Sequence, residues 1–204
     1  MGGTFDPPHH AHLRLAEEAR EALGLAAVRW IPSGRPGHRD APATAAADRL
    51  AMVRIAIAGH PHFTLDDAEA RSTTPTFSVD TLARLRAELG ERVPLVTIIG
   101  MDSALTLPSW RDWKRLFALT HFAVGERPGY DADGGLHPDV AARMAGPEAL
   151  AAPAGAVVRF RTTLMDISAS SIRARIARGE SARYLLPGEV LDYIGAQGLY
   201  LRGD

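Results

Sequence analysis

The sequence predicts an α/β fold: a doubly wound parallel sheet with helices on both faces, in three layers. Two observations support this prediction. Segments with strand character alternate with segments of helical periodicity along most of the chain. The segment PLVTIIG at 94–100 is short, apolar and β-branched, which is typical of a strand buried on both faces. No linker-like stretch divides the 204 residues, so a single domain over 1–204 is expected, with a helical C-terminal portion of about 165–204 packed on it.

The individual elements follow from local patterns. Strands are predicted within 26–34, 62–70, 94–100, 121–126 and 156–161, and helices within 11–24, 47–59, 78–90, 107–119, 138–144, 168–179 and 187–198. Gly24 and Gly59 stand where the first two helical patterns stop, so each is predicted to end its helix. Ser78 is predicted to be the N-cap of the third helix, and Trp113 to be helical and buried.

Composition and charge narrow the possible functions. The net charge of −1 argues against a general nucleic-acid coat, which needs a basic stripe. No apolar run approaches the roughly 20 residues of a membrane helix, and no signal-peptide pattern is visible, so no membrane partner is expected. The lack of cysteine excludes disulfides and thiolate metal sites and favours a cytoplasmic protein. The oligomeric state stays open.

The strongest candidate site is the segment GGTFDPPHHAHL at 2–13. A glycine-bearing turn that leads into a helix N-terminus binds phosphate through backbone N–H groups and the helix dipole. Gly2 and Gly3 allow close backbone approach, and His9 and His12 are expected to project from the first helical turn toward the anion. A surface histidine cluster is the alternative. A metal site is disfavoured, because two histidines lack a carboxylate or thiolate partner nearby.

Three further segments carry polar groups at expected ligand-binding positions. ISASSIRARI at 167–176 places serine hydroxyls and Arg173 at a helix start, which suits a second phosphate contact, although an ordinary capped surface helix has the same pattern. WIPSGRPGHR leads from a strand end into a loop with His38 and Arg39. GMDSALTLPSW places Asp102 at a strand end and Trp110 in a loop, where it could stack on a planar ring; core packing is the alternative.

Taken together, these motifs resemble a known family. GGTFDPPHHAHL resembles the first signature of the nucleotidyltransferase superfamily, with residues 9–12 in place of its HxGH element, and ISASSIR resembles the second signature, ISSTxIR. In the same order, IPSGRPGHR, DRLAMVRIAIA, TFSVDTL, IIGMDS, ERPGY and VLDYIGAQGLY resemble bacterial nicotinate-nucleotide adenylyltransferases. The likeness runs from Gly2 to about Tyr200. It implies a Rossmann-like fold and an enzyme of NAD biosynthesis that transfers an adenylyl group from ATP to nicotinate mononucleotide and releases pyrophosphate.

The resemblance also implies roles for the matching residues. The residues implied in ATP binding are Gly2, Gly3, Thr4, Phe5, His9, His12, Gly100, Ser168, Ser170 and Arg173. Of these, His9, His12 and Arg173 are the implied catalytic residues, with His12 nearest the α-phosphate. The residues implied in nicotinate mononucleotide binding are His38, Arg39, Ser78, Asp102, Trp110 and Arg127. Trp110 would stack on the pyridine ring, and backbone N–H groups near Ser78 and Arg111 would receive its carboxylate. Mg²⁺ would enter as MgATP, with no protein metal site.

Two features depart from the family pattern. Ala11 stands where the family has glycine. The family also has a hydrophobic strand ahead of the glycines, whereas only Met1 precedes them here, so the usual first strand is expected to be absent and the natural start to lie upstream. Two other functions stay open: another small-molecule adenylyl- or cytidylyltransferase, such as a pantetheine-phosphate adenylyltransferase, and a non-catalytic nucleotide-binding module.

Overall fold

The computed structural model describes residues 1–34, 42–126 and 135–201. The chain divides into two compact units. Unit I comprises Gly2–Leu15, Ala26–Pro75 and Leu164–Asp204, and unit II comprises Met1, Ala16–Leu25 and Thr76–Thr163. The single-domain organisation stays a prediction.

Within the described ranges the strands are β1 (Gly2–Gly3), β2 (Val28–Pro32), β3 (Phe63–Leu65), β4 (Val96–Gly100), β5 (His121–Glu126) and β6 (Val157–Arg161). The α-helices are α1 (His10–Ala22), α2 (Ala46–Ala56), α3 (Ser78–Leu89), α4 (Met101–Leu105), α5 (Trp113–Leu119), α6 (Pro138–Ala141), α7 (Ala169–Ala177) and α8 (Gly188–Ala196). Short 3₁₀ turns cover Leu107–Ser109 and Pro147–Ala151. None of the helices in the described ranges is both long and apolar enough to cross a membrane.

Each unit contains a three-stranded parallel sheet. In unit I the order is β1-β2-β3, with Gly2 opposite Ile31 and Val28 opposite Phe63. In unit II the order is β4-β5-β6, with residue 96 opposite His121. Strands joined in parallel require crossover connections, which the intervening helices supply. The sequence predicts that the family's usual first strand, ahead of the glycines, is absent. In the structure the two glycines themselves form a two-residue strand that pairs with β2.

Helix ends test the predictions made from single residues. Gly24 and Gly59 both adopt the left-handed region, with φ of +61° and +78°, just beyond α1 and α2, as predicted. The prediction for Ser78 is wrong. Phe77 is the N-cap of α3 and no side chain caps that end, because the backbone is already helical at Ser78.

Buried apolar side chains position the functional elements of each unit. In unit I, a cluster of Met52, Ile172, Ala182, Leu186, Val190 and Ile194 packs the C-terminal helices on α2. In unit II, β5 is buried along almost its whole length, as expected for a strand covered on both faces. Trp113 was predicted to be buried, but it is only half-buried on α5, where Lys114 lies over its ring. Its indole therefore reaches the unit surface, where the ammonium can lie on it.

Candidate functional site

The loop between β1 and α1, here called the signature loop (residues 4–8), depends on close packing behind it. A Cβ on Gly3 would lie 2.8 Å from Phe5 Cζ, so a side chain there would displace the ring. Phe5 has φ of 51° and a ring that is 2 % exposed, and this ring contacts Trp30 at a centroid distance of 5.2 Å. A Cβ on Gly2 would make only an ordinary contact. The packing therefore requires glycine at Gly3 rather than at Gly2.

The two histidines of the HxGH-like element cap the start of α1. The prediction that His9 lies on the first helical turn is wrong. His9 immediately precedes that turn, because α1 begins at His10. Its carbonyl oxygen accepts from the N–H groups of His12 and Leu13, at 2.9 and 3.2 Å. The N–H of His9 in turn donates to His12 Nδ1 at 3.3 Å. The bond from the His9 N–H to the His12 ring corresponds to one half of a capping box, with imidazole in the place of a carboxylate. The other contact is a backbone turn, made by the carbonyl of His9 and not by its side chain.

The cap determines which nitrogen of His12 carries the proton. Because Nδ1 accepts from a backbone N–H, the neutral imidazole must carry its proton on Nε2. Burial, and secondarily the neighbouring His9, holds the pKa of His12 well below its usual range, which keeps the ring neutral. The ring is further fixed by stacking on His9 at 3.7 Å and by an edge-on contact with Phe5 at 5.2 Å. His12 can therefore act as a neutral Nε2–H donor to an anion.

The second signature, at the start of α7, is brought to the first one. Of the serines predicted at this helix start, Ser168 is the N-cap of α7, and its Oγ accepts from Ser171 N–H at 3.2 Å. Ser170 Oγ lies 3.1 Å from Ser168 Oγ. Arg173 Nη1 donates to the carbonyl oxygen of Asp6 at 2.7 Å. Two motifs that lie 167 residues apart along the chain are thus in contact within unit I.

Asp6 is a buried acceptor at the centre of the signature loop, with a role that the sequence motif does not indicate. Its side chain is 4 % exposed. Its Oδ2 accepts from Ala43 N–H at 2.8 Å, and its Oδ1 accepts from Thr44 Oγ1 at 2.6 Å and from Tyr200 Oη at 2.7 Å. Donors from two separate segments therefore hold this buried carboxylate.

Arg49 is a second residue that sequence reasoning missed. Its side chain is 1 % exposed, and its guanidinium donates to the carbonyl oxygens of Thr4, Ser33 and Gly34 at 2.9, 2.5 and 2.8 Å. It thereby joins the signature loop to the loop after β2. Burial lowers the pKa of Arg49, and the Asp6 carboxylate partly offsets that effect, so the group stays charged. The sequence does contain a signal, because Arg49 shares one helical face with Met52, Val53 and Ala56.

The described residues among those implied in nicotinate mononucleotide binding lie in unit II, as does Gly100 of the set implied in ATP binding. Gly100 ends β4, as expected for a strand end, and Asp102 is exposed on the short helix α4 that follows. Trp110 is half-buried and meets Phe122 edge-on at 6.5 Å. Ser78 is the first residue of α3, and the Arg111 guanidinium lies 4.5 Å from the Phe77 ring beside it. His38, Arg39 and Arg127 lie outside the described residues.

The donor set of the described residues is informative about metals. Across those residues no group of three or more histidine, cysteine, aspartate or glutamate side chains could hold a metal ion. The expectation that Mg²⁺ enters as MgATP, with no protein metal site, stays a prediction.

Comparison with known proteins places the chain in a class. The model of the family described as "Cytidylyltransferase-like" matches residues 1–175, and the chain belongs to this family. Its curated relatives include a "Probable nicotinate-nucleotide adenylyltransferase" of Dechloromonas aromatica, which is 47% identical over 98% of this chain and 95% of that protein. A protein with the same name from Acidithiobacillus ferrooxidans is 44% identical over 98% and 94%. The resemblance stated from the motifs is confirmed.

Solved structures support the fold. The nicotinic acid mononucleotide adenylyltransferase of Plasmodium falciparum complexed with NaAD superposes with a TM-score of 0.75, covering 98% of this chain and 94% of that one at 19% identity. The same enzyme complexed with APC gives a TM-score of 0.73 at 18% identity over the same coverage. At these identities the likeness concerns the fold. The predicted α/β class, with parallel sheets and flanking helices, is confirmed.

Proposed function

We propose that this chain transfers the adenylyl group of ATP to nicotinate mononucleotide, giving nicotinate adenine dinucleotide and pyrophosphate in NAD biosynthesis. The observation that carries the proposal is the 47% identity with a curated relative of that name over 98% of the chain. The reaction also suits the groups at the start of α1. It needs hydrogen-bond donors around a phosphorus atom and does not need an activated serine or cysteine.

In the proposed reaction the 5′-phosphate oxygen of the mononucleotide attacks the α-phosphorus of ATP in line. A new P–O bond forms while the bond to the bridging oxygen of the β-phosphate breaks, and pyrophosphate carries away the electron pair. No covalent enzyme intermediate is required. Catalysis then consists of positioning the two nucleotides and stabilising charge on the oxygens of the α-phosphate.

His12 is the proposed donor to the α-phosphate. Its neutral Nε2–H needs no proton transfer to serve this purpose, and the capping bond from His9 fixes the direction of the ring. The hydroxyls of Ser168 and Ser170 and further N–H groups of the Arg173 guanidinium would contact the β- and γ-phosphates. Mg²⁺ belongs to the substrate as MgATP, and it would neutralise charge on the triphosphate.

The remaining assignments belong to the proposal as well. Backbone groups of residues 2–5 and Gly100 would contact ATP, since the side chain of Phe5 is already buried. The proposed mononucleotide contacts are Asp102, Trp110, the helix start at Ser78, Arg111, His38, Arg39 and Arg127. A half-buried indole at Trp110 leaves ring surface for stacking on the pyridine. A cytoplasmic location is part of the same proposal.

The test is a pyrophosphate-release assay with ATP and either nicotinate mononucleotide or its amide. We expect product with the acid and a much lower kcat/KM with the amide.

His12→Ala removes one donor to the reacting phosphate and should lower kcat by about 10²–10³-fold. His10→Ala is the matched control, because His10 contributes its backbone N–H, bonded to Leu185 O at 3.1 Å, and should leave kcat within about twofold. No pyrophosphate from wild-type protein with either acceptor would refute the proposal.

A further inference from the structure

Two tyrosines near the C-terminus bind aspartates in the same way but at different places. Tyr200 Oη donates to Asp6 Oδ1 at 2.7 Å, and Tyr193 Oη donates to Asp48 Oδ1 at 2.9 Å. Asp48 is in the first turn of α2, so the Tyr193 bond fastens one helix to another. Asp6 is in the signature loop. We propose that Tyr200 is a positioning residue for adenylyl transfer, which acts through Asp6 on the loop that leads into His9 and His12; this inference rests on the function proposed above.

The Asp6 carboxylate depends on each of its hydrogen-bond donors for its position. Oδ1 receives the hydroxyls of Thr44 and Tyr200, and Oδ2 receives Ala43 N–H. Asp6 is 4 % exposed, so bulk water does not simply take the place of a lost hydroxyl. A buried charged acceptor that loses a donor moves toward another one or stays unsatisfied. Either outcome changes the position of the loop backbone at Asp6.

The Tyr200 hydroxyl remains a donor under all working conditions. Burial, and then the bond to Asp6, raises the pKa of Tyr200 far above its usual value. The phenol therefore stays protonated throughout the pH range of the enzyme. Its contribution is a fixed hydrogen bond, and removing it should not alter the shape of the pH–rate profile.

A shift of the backbone at Asp6 is transmitted to the groups proposed to contact phosphate, because the connecting segment is short and rigid. Only Pro7 and Pro8 separate Asp6 from His9, and both are buried with their φ angles fixed by the ring. The carbonyl of Asp6 also accepts from Arg173 Nη1 at 2.7 Å. A shift of the loop thus reaches the imidazole at the start of α1 and the guanidinium on α7 together. Misplacement of catalytic groups by about 1 Å can cost about 10²-fold in rate.

The experiment compares Tyr200→Phe with Tyr193→Phe as a matched control. Each variant removes one hydroxyl from a tyrosine–aspartate bond in the same unit. We expect Tyr200→Phe to lower kcat/KM for ATP about tenfold, which corresponds to about 1.4 kcal/mol, with an unchanged pH profile. Tyr193→Phe should keep kcat/KM within twofold of wild type. Thermal melting of both variants separates lost stability from lost positioning.

A second measurement does not depend on activity. Hydrogen exchange of a peptide covering residues 2–12 should speed up in Tyr200→Phe and not in Tyr193→Phe. Thr44→Val, which removes the other hydroxyl from the same oxygen, should reproduce the Tyr200→Phe pattern and serves if Tyr200→Phe does not fold. Combining Tyr200→Phe with Asp6→Asn should give less than the sum of the single effects.

The outcomes that overturn the inference are distinct from those that overturn the function. Equal kinetic losses in Tyr200→Phe and Tyr193→Phe, in step with their melting temperatures, would assign Tyr200 a purely structural role. Wild-type exchange of residues 2–12 in Tyr200→Phe, or full additivity with Asp6→Asn, would also refute it. If wild-type protein releases no pyrophosphate while the exchange difference persists, the proposed function fails and the control of the loop by Tyr200 stands.

Discussion

Replacing Arg49 tests the most heavily bonded buried charge of unit I. In the wild-type protein its guanidinium donates to the carbonyl oxygens of Thr4, Ser33 and Gly34 at 2.9, 2.5 and 2.8 Å, and its side chain is 1 % exposed. Arg49→Met keeps most of the volume and removes all of the donors. Three carbonyl oxygens then lose their donor, that of Gly34 at a buried bond and those of Thr4 and Ser33 at part-buried bonds, and the longer contact of Nε with Thr44 O at 3.4 Å is lost as well.

The expected loss follows from that count. A buried polar group that loses its partner costs about 1–3 kcal/mol, so three of them cost at least about 3 kcal/mol, a large part of the 5–15 kcal/mol that stabilises a typical domain. Arg49→Lys should lose about half as much as Arg49→Met, because one ammonium cannot reproduce the planar fork that reaches all three oxygens. Urea unfolding gives both values. The KM for ATP should rise in Arg49→Lys, since Thr4 lies in the signature loop.

Arg86 provides the control. Like that of Arg49, its guanidinium donates to backbone carbonyl oxygens, namely those of Gly90, Val93, Leu119 and Pro153. The side chain of Arg86 is half-buried, however, and three of those bonds lie at exposed positions. Water can hydrate these oxygens in Arg86→Met, so we expect a loss of about 1 kcal/mol. The reasoning from burial would be refuted by an equal decrease in the free energy of unfolding in Arg86→Met and Arg49→Met. A decrease below about 1 kcal/mol in Arg49→Met would refute it as well.

Two further predictions concern single residues of unit I. Folding lowers the pKa of His12 below its usual value of 6.5. The contribution of this shift to the free energy of unfolding is therefore complete above about pH 6.5. It decreases as the pH falls toward the folded pKa, because the unfolded state binds the proton first. The wild-type protein should therefore lose at most about 1.4 kcal/mol of stability per pH unit from His12 between pH 7 and pH 5. Melting curves of His12→Gln over the same range should lack this decrease. In Gly34→Ala the new Cβ would collide with the backbone oxygen of Glu69, so its melting temperature should fall, whereas Gly195→Ala, with open space in α8, should match or exceed wild type.

Features with a local period or a local stop signal could be predicted from the sequence. The strand at Val96–Gly100, the helix ends at Gly24 and Gly59 and the serine-rich start of α7 all lie where the pattern placed them. Ser78 was misplaced by one position, because a serine at a helix start can be the cap or the first helical residue and the pattern does not distinguish them. Trp113 was predicted to be buried from residue type alone, and residue type does not specify which way a helix face turns.

The supporting residues of the site could not be predicted in that way, for a physical reason. Backbone groups and imidazoles that contact one phosphate must converge from a single turn, so they are contiguous in sequence and form a recognisable motif. Two of the residues that hold this turn come from separate elements and stand outside any motif: Arg49 from α2, and Tyr200 after α8. Arg173 was predicted from its own motif on α7, but its bond to the carbonyl of Asp6 was not. Only the folded chain shows that all three bind the same five-residue loop. A search for supporting residues should therefore start from the buried acceptors of a signature loop and ask which distant donors reach them.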